Sequence, residues 1–97
     1  MGFVQIIEYT TSDIDGMRAI GDAWEHATEG KNKVRRRVIT ADRDQPGRYF
    51  TIVFFESFEA AMENSGLPET KALSARMAEL ADGPARFYNL DIVDERA

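Results

Sequence analysis

Few side chains in this sequence could transfer a proton or attack a substrate near neutral pH. His26 is the only histidine, and histidine is the usual general base in that pH range. It follows Trp24 by two positions, about 200° around a helix, so it should point away from the apolar stripe that contains Trp24. We therefore predict that His26 is a solvated surface residue. Cysteine is absent, which excludes thiol nucleophiles, disulfides and zinc–thiolate sites. We predict no metal and no cofactor.

Arg35, Arg36 and Arg37 form the one cluster of basic residues. Side chains alternate along a strand, so Arg36 should point to one face of the sheet and Arg37 to the other. Charged residues on an edge strand discourage unwanted pairing, and edge protection or an ion pair is the first interpretation. Binding of an anionic ligand by Arg37 in a pocket is the second. The formal charge of the chain is −5, which disfavours nucleic acid and anionic membranes as partners.

Four other side chains are candidates for ligand contacts. Asn89 lies in a strand-like segment rich in apolar residues, where an asparagine either bonds a neighbouring loop or orients a ligand. Asn64 is either a helix-end residue or a pocket residue. Tyr9 could direct its hydroxyl towards a ligand, and Trp24 could line a cleft for an aromatic molecule. Packing in the core is the more ordinary role of both rings.

The 97 residues form one domain, 1–97. The helices and strands that must position the candidate residues can be predicted along the chain. Residues 3–9 are rich in β-branched and aromatic residues and predict a strand. An apolar stripe then recurs at steps of three and four, which predicts a helix; its members are Ile14, Met17, Ile20, Trp24 and Thr28. Ser12, with Asp15 three residues later, predicts the start of that helix, and Gly30 predicts its end.

The second half of the chain predicts two strands, a broken helix and a last strand. Residues 34–40 and 49–55 are strand-like and form a hairpin. Ser57 can cap a helix that is interrupted near Gly66–Pro68 and stopped at Gly83. Residues 85–93 form the last strand. The order is β-α-β-β-α-β, a ferredoxin-like α+β fold: a four-stranded antiparallel sheet with the helices on one face and the first and third strands in its centre.

The segment 49–55 is apolar on both of its faces. The helices can cover only one face of the sheet, and a second copy of the chain is the simplest cover for the other. We therefore predict a homodimer. No signal-peptide pattern and no apolar run of membrane-spanning length is present, so a cytoplasmic location and no membrane association are expected.

The junction 54–65, Phe-Phe-Glu-Ser-Phe-Glu-Ala-Ala-Met-Glu-Asn-Ser, resembles the junction of third strand and helix in the antibiotic biosynthesis monooxygenases. These form a branch of the dimeric α/β-barrel superfamily. The broken helix at 66–69 and the tail 82–92 are similar to small bacterial members. The resemblance implies a dimeric α/β barrel with a pocket between sheet and helices in each protomer. Members of this branch often carry histidines in the broken second helix, where this chain has Asn64 and Glu69.

Two functions of different classes follow. The first is binding of a small apolar or aromatic molecule by a cofactor-independent oxygenase or an isomerase, with Asn64, Asn89, Tyr9, Arg37 and Trp24 around the ligand. The alternative is a non-catalytic dimeric ligand-binding or accessory module that kept the fold without the chemistry. The sequence leaves open whether the protein is an enzyme, and its catalytic base is unassigned.

Overall fold

Residues 2–97 are described by a computed structural model in which strands and helices follow the order β-α-β-β-α-α-β. The strands are β1 (Phe3–Thr10), β2 (Val34–Ala41), β3 (Arg48–Phe55) and β4 (Arg86–Asp91). The helices are α1 (Ile14–Ala27), α2 (Phe58–Ser65) and α3 (Pro68–Leu80). The last strand is shorter than the predicted 85–93.

The four strands form one antiparallel sheet in the order β2-β3-β1-β4. The first and third strands therefore lie in the centre and β2 lies at an edge, as the sequence predicts. β2 contains a register shift between Val34 and Arg36, a β-bulge of the kind that edge strands use to discourage further pairing. The predicted ferredoxin-like α+β fold is confirmed.

The two faces of β3 have different surroundings. Val53 and Phe55 are buried and form a core cluster with Phe3 and Ala61 of α2. The ring of Phe3 also meets Phe58 of α2 edge-on, 5.5 Å between centroids, so the helices cover this face. The alternate residues of β3 on the opposite face remain partly exposed; they are Phe50, Ile52 and Phe54. We call these the helix face and the outer face of the sheet.

The start of α1 differs by one residue from the prediction. Asp13, not Ser12, is the N-cap, and its Oδ1 accepts a hydrogen bond of 2.9 Å from the Gly16 amide. Both residue types are good caps, and the helix begins at Ile14, directly after Asp13. At the other end, α1 stops at Ala27, before the predicted Gly30; Gly30 lies in the following turn with φ = +83°, where glycine is favoured.

The break between α2 and α3 follows from local sequence. The hydroxyl of Ser57 accepts a hydrogen bond of 3.1 Å from the Ala60 amide and caps α2 as predicted. Leu67 is extended, with ψ = 137°, because a residue that precedes a proline avoids the helical region. Pro68 then begins α3, where its missing N–H costs nothing. The predicted interruption near Gly66–Pro68 is confirmed.

The N-cap assignment gives a paired stability test. Asp13→Ala removes the acceptor of the Gly16 amide and should lower the free energy of unfolding by about 1 kcal/mol. Ser12→Ala changes an exposed neighbour and should stay within about 0.5 kcal/mol of wild type. Urea denaturation of the three proteins measures both values. A larger loss for Ser12→Ala than for Asp13→Ala would contradict the assignment.

Candidate functional site

The helix face of the sheet brings together several of the residues that the sequence analysis selected. Tyr9 of β1 lies opposite Tyr49 of β3. Arg37 of β2 lies opposite Val53, which in turn pairs with Gln5. Because paired residues share a face, Tyr9 and Arg37 both point towards the helices.

Tyr9 is buried beneath the helices in a polar contact. Its hydroxyl lies 2.9 Å from Oγ1 of Thr51, and its ring stacks on Tyr49 with 6.0 Å between centroids. Burial raises the pKa of the Tyr9 phenol above its usual value, while the hydrogen bond to Thr51 and the charge of Arg37 partly oppose that rise. A phenol whose pKa is raised stays protonated at neutral pH, so Tyr9 can donate a hydrogen bond but is unsuited to act as a base.

Arg37 lies against α1 with only 21% of its side chain exposed. Its Nη2 is 3.5 Å from Oδ1 of Asp22 and 3.5 Å from Oε2 of Glu25, and both carboxylates are largely exposed. The guanidinium also lies close to Gly21, where an added Cβ would overlap Nη1. The absence of a side chain at position 21 therefore allows a charged group to approach the helix backbone.

A groove of about 490 Å³ opens between α1 and the β2–β3 edge of the sheet. It is lined by Ile14, Arg18, Asp22, Arg37, Ile39, Ala41 and Tyr49. Three aliphatic side chains supply apolar walls, and two guanidinium groups, one carboxylate and one phenol supply polar contacts. An apolar wall with a few convergent polar groups is the usual composition of a small-molecule site.

Asn64 lies outside this groove. It is 6% exposed, and its Oδ1 accepts a hydrogen bond of 3.0 Å from the Lys33 amide. Nearby, Lys31 forms an ion pair with Glu69, and that contact lowers the pKa of the Glu69 carboxyl. Asn64 and Glu69 thus connect the segment before β2 to the broken helix.

Trp24 and Asn89 also make contacts away from the groove. The buried ring of Trp24 donates from Nε1 to Oγ1 of Thr70, 3.0 Å, and joins α1 to α3. Asn89 is exposed on β4, and its Oδ1 accepts a hydrogen bond of 3.2 Å from Nε2 of Gln5. Of the five predicted ligand-contact residues, Arg37 lines the groove, and Tyr9 stacks on Tyr49, which also lines it. Asn64, Asn89 and Trp24 lie outside the groove.

His26 is exposed, as the sequence predicts. It borders a second, acidic groove of about 510 Å³ on the solvent side of α1, with Asp22, Glu25, Glu29, Gly30 and Asn32. Across residues 2–97, no three side chains of the metal-binding types cluster as they would around an ion. None of the helices described is long and apolar enough to cross a membrane.

Sequence reasoning missed two residues of the site, Gly21 and Arg18. A signal for Gly21 was present, because a glycine inside a helix costs stability relative to alanine and often marks a close contact. It follows Ile20 directly in the interior of the predicted helix. Arg18 carried no signal, since an arginine outside the apolar stripe of a helix is most often a solvated surface residue.

Comparison with solved structures gives the same fold in several proteins. A candidate antibiotic biosynthesis monooxygenase from Caulobacter crescentus aligns with a TM-score of 0.81 and 14% identity, over 96% of this chain and 91% of its own. The protein Rv0793 from Mycobacterium tuberculosis aligns with a TM-score of 0.79 and 21% identity over the full length of both chains. SnoaB from Streptomyces nogalater, a cofactor-independent oxygenase, aligns with a TM-score of 0.80 and 9% identity, over 97% of this chain and 95% of its own.

No family model and no curated protein matches the sequence. At these identities the structural likeness establishes the fold alone, since one fold hosts many activities. The chain therefore has the ferredoxin-like fold of the monooxygenase-like proteins, as the resemblance implied.

The two asparagines should respond differently to truncation. Asn64→Ala leaves the Lys33 amide without its buried acceptor and should lower the free energy of unfolding by about 1–3 kcal/mol. Asn89→Ala removes an exposed contact and should cost less than about 0.5 kcal/mol. Thermal and urea denaturation of both variants make the comparison. Equal losses would show that the Asn64–Lys33 hydrogen bond contributes nothing specific.

Proposed function

We propose that the protein binds a small aromatic or apolar molecule in the groove between α1 and the sheet. The observation that supports this most directly is the composition of the groove. Ile14, Ile39 and Ala41 offer apolar contact, and Tyr49 offers a ring whose other neighbour is the buried phenol of Tyr9. An aromatic ligand could pack on these walls while its polar group meets a guanidinium.

Oxidation of such a ligand without a cofactor is the reaction that we propose. SnoaB, which shares the fold, is described as a cofactor-independent oxygenase. Without a cofactor the electrons that reduce oxygen must come from the substrate, so the substrate class is an electron-rich phenol or hydroquinone. A phenol and O2 would give a para-quinone and water, with one oxygen atom bonded to the ring and the other leaving with the two hydrogen atoms that the substrate loses; a hydroquinone and O2 would give a quinone and hydrogen peroxide. In this reaction the protein would bind and orient the ring of the substrate and exclude water from it. An isomerase acting on the same kind of molecule would use the same contacts.

A non-catalytic ligand-binding module is the second candidate. It is favoured by the position of His26, which is exposed and outside the groove. Tyr9 is protonated at neutral pH, because the ordinary pKa of a phenol, about 10, is far above 7 and burial raises it further, so Tyr9 does not replace the missing histidine as a base. Binding without turnover would be the behaviour of this module.

Both candidates can be tested with 1-naphthol and 1,4-dihydroxynaphthalene. Thermal shift and titration measure binding, and an oxygen electrode measures oxygen uptake. We expect saturable binding that raises the melting temperature. Ala41→Phe fills the groove and should weaken binding at least about tenfold, equivalent to about 1.4 kcal/mol.

Ala75→Phe, at an exposed position on α3, is the matched control and should bind like wild type. Oxygen uptake above the spontaneous rate would support the oxygenase, and binding without uptake would support the module. Absence of binding to wild type, or equal binding by Ala41→Phe, would contradict a ligand site in this groove.

We also propose that a second copy of the chain covers the outer face. Its exposed or partly exposed apolar side chains are Ile6, Val38, Phe50, Ile52, Phe54, Tyr88 and Leu90. Three arginines lie over rings on this face: Arg36 over Phe54, Arg48 over Phe50 and Arg86 over Tyr88, with 5.4, 5.5 and 6.0 Å from Cζ to the centroid. Aromatic and arginine side chains are the types enriched at protein interfaces, and a twofold pair buries the same patch on both copies.

Leu90 and Phe87 give a matched test of this dimer. Leu90 pairs with Val4 on the outer face, whereas Phe87 pairs with Ile7 on the helix face; they are 46% and 56% exposed. Light scattering of the wild type should give about twice the chain mass of 10.9 kDa.

Leu90→Lys places a charge in the interface and should shift the mass towards 10.9 kDa, because burying an unpaired charge is costly. Phe87→Lys should remain dimeric. A wild type at the single-chain mass at micromolar concentration would rule out the dimer.

A further inference from the structure

Arg37 and Arg48 lie on neighbouring strands but have different contacts. Arg48 is fully engaged: Nε and Nη2 donate to Oδ2 of Asp42 at 2.8 and 2.6 Å. These are the lengths of strong charge-assisted hydrogen bonds. Arg37 makes both of its ion pairs through Nη2 alone, at 3.5 Å to Asp22 and Glu25. The guanidinium of Arg37 is therefore weakly engaged by its own chain.

The donors that remain on Arg37 can serve a ligand. A guanidinium has five N–H groups in a planar fork that matches a carboxylate. Within residues 2–97, Arg37 donates no hydrogen bond of ordinary length and angle to another residue. The side chain is nevertheless held in place, because 79% of its surface is covered beneath α1. A partly desolvated, positioned cation attracts an anion more strongly than an exposed one does.

The groove also contains a second guanidinium. Its charged lining residues are Arg18, Arg37 and Asp22; Arg18 is exposed and lies 3.8 Å from Asp15, and Glu25, which also contacts Arg37, is outside the lining. The aliphatic wall lies beside the two guanidinium groups. We propose that Arg37 is an anion-recognition residue and that the groove selects an aromatic carboxylate, with the ring on the wall and the carboxylate on Arg37.

This inference rests on the proposed ligand site and adds the ligand's charge. It also explains Gly21. A helix interior favours alanine over glycine, yet a Cβ at position 21 would occupy the space of Arg37 Nη1. The glycine keeps the guanidinium beneath the helix and next to the groove.

Asp22 should weaken the binding of an anion, whereas Arg37 promotes it, because Asp22 contacts Arg37 and also lines the groove. Its carboxylate occupies the position that a bound anion would approach. Asp22 therefore competes with the ligand for the same guanidinium, and its removal should strengthen anion binding.

Calorimetric titration with 1-naphthoate and with the neutral 1-naphthamide tests the inference. We expect the wild type to bind the carboxylate at least about tenfold more tightly than the amide, with a preference that falls as salt increases. Arg37→Met should abolish that preference and retain weak binding of both compounds. The matched control is Arg76→Met, at an exposed position on α3 outside the groove, which should keep the preference.

Two further variants separate recognition from a structural role of Arg37. Gly21→Ala should keep or raise the melting temperature, since alanine favours the helix, while it reduces the preference for the carboxylate. Asp22→Asn should tighten naphthoate binding and leave naphthamide unchanged. A purely structural arginine would give neither result.

The possible outcomes distinguish this inference from the proposed function. Equal affinities for carboxylate and amide in the wild type would overturn anion recognition and leave the aromatic site standing. A preference that survives both Arg37→Met and Gly21→Ala would assign the anion contact to another residue and overturn the role of Arg37. If 1-naphthol binds but neither of these compounds does, anion recognition is overturned and the aromatic site stands; if none of the three binds, the ligand site itself fails.

Discussion

The antiparallel pairing of β1 with β3 is the interaction on which the rest of the structure depends. Its register runs without interruption from Phe3 opposite Phe55 to Thr10 opposite Arg48. A shift of one residue in either strand would turn every side chain of that strand to the other face of the sheet. A slip of β1 would turn Tyr9 away from the helices, and a slip of β3 would turn Tyr49 away and place the apolar residues of its outer face beneath them. The register thus decides which residues form the groove and which lie on the outer face.

Buried threonines lie at both ends of α1. Thr11, before the helix, donates from its amide to the Gly47 carbonyl at 3.0 Å and from its hydroxyl to the Leu80 carbonyl at 2.7 Å. Thr28 is completely buried and closes the last turn of the helix by donating from Oγ1 to the Trp24 carbonyl at 2.7 Å. The bonds of Thr11 connect the start of α1 to the β2–β3 loop and to the end of α3, and Gly21 provides room for the Arg37 side chain between helix and sheet.

The sheet could be predicted because its information is local and repeated. The β-branched and aromatic residues of 3–9 and 49–55 predict two strands, and the stripe from Ile14 to Thr28 defines the buried face of α1 before any contact is known. The alternation of side chains along a strand also predicted that Arg36 and Arg37 point to opposite faces.

The contacts of single polar residues could not be predicted in this way. Ser12 and Asp13 are equally good caps, and only the start of the helix decides between them. The sequence offered the same two interpretations, a structural residue or a ligand contact, for Asn64 and for Asn89. In the structure Asn64 is buried and accepts a hydrogen bond from the Lys33 amide, whereas Asn89 is exposed and accepts one from Gln5. Those outcomes depend on residues distant in the chain, which a periodic pattern does not encode.

The contacts of the arginine side chains differ between the two faces of the sheet. This difference bears on the roles that we propose for the faces. On the outer face Arg48 donates to Asp42, and its Nη1 lies 3.6 Å from Oε2 of Glu8. The other carboxylate oxygen of Glu8, Oε1, accepts a hydrogen bond of 2.9 Å from the Tyr88 hydroxyl. A charge network that is closed in this way can lose water with little further penalty, whereas a charge without a partner cannot. Covering the outer face with a second chain is compatible with that network. Arg36 and Arg86 on the same face lie over the rings of Phe54 and Tyr88 and form no ion pair within residues 2–97, so a second chain would have to compensate their loss of water. On the helix face Arg37 makes two ion pairs, both of 3.5 Å and both through Nη2. The contrast therefore lies between the short hydrogen bonds of Arg48 and the longer contacts of Arg37, which a bound anion would supplement.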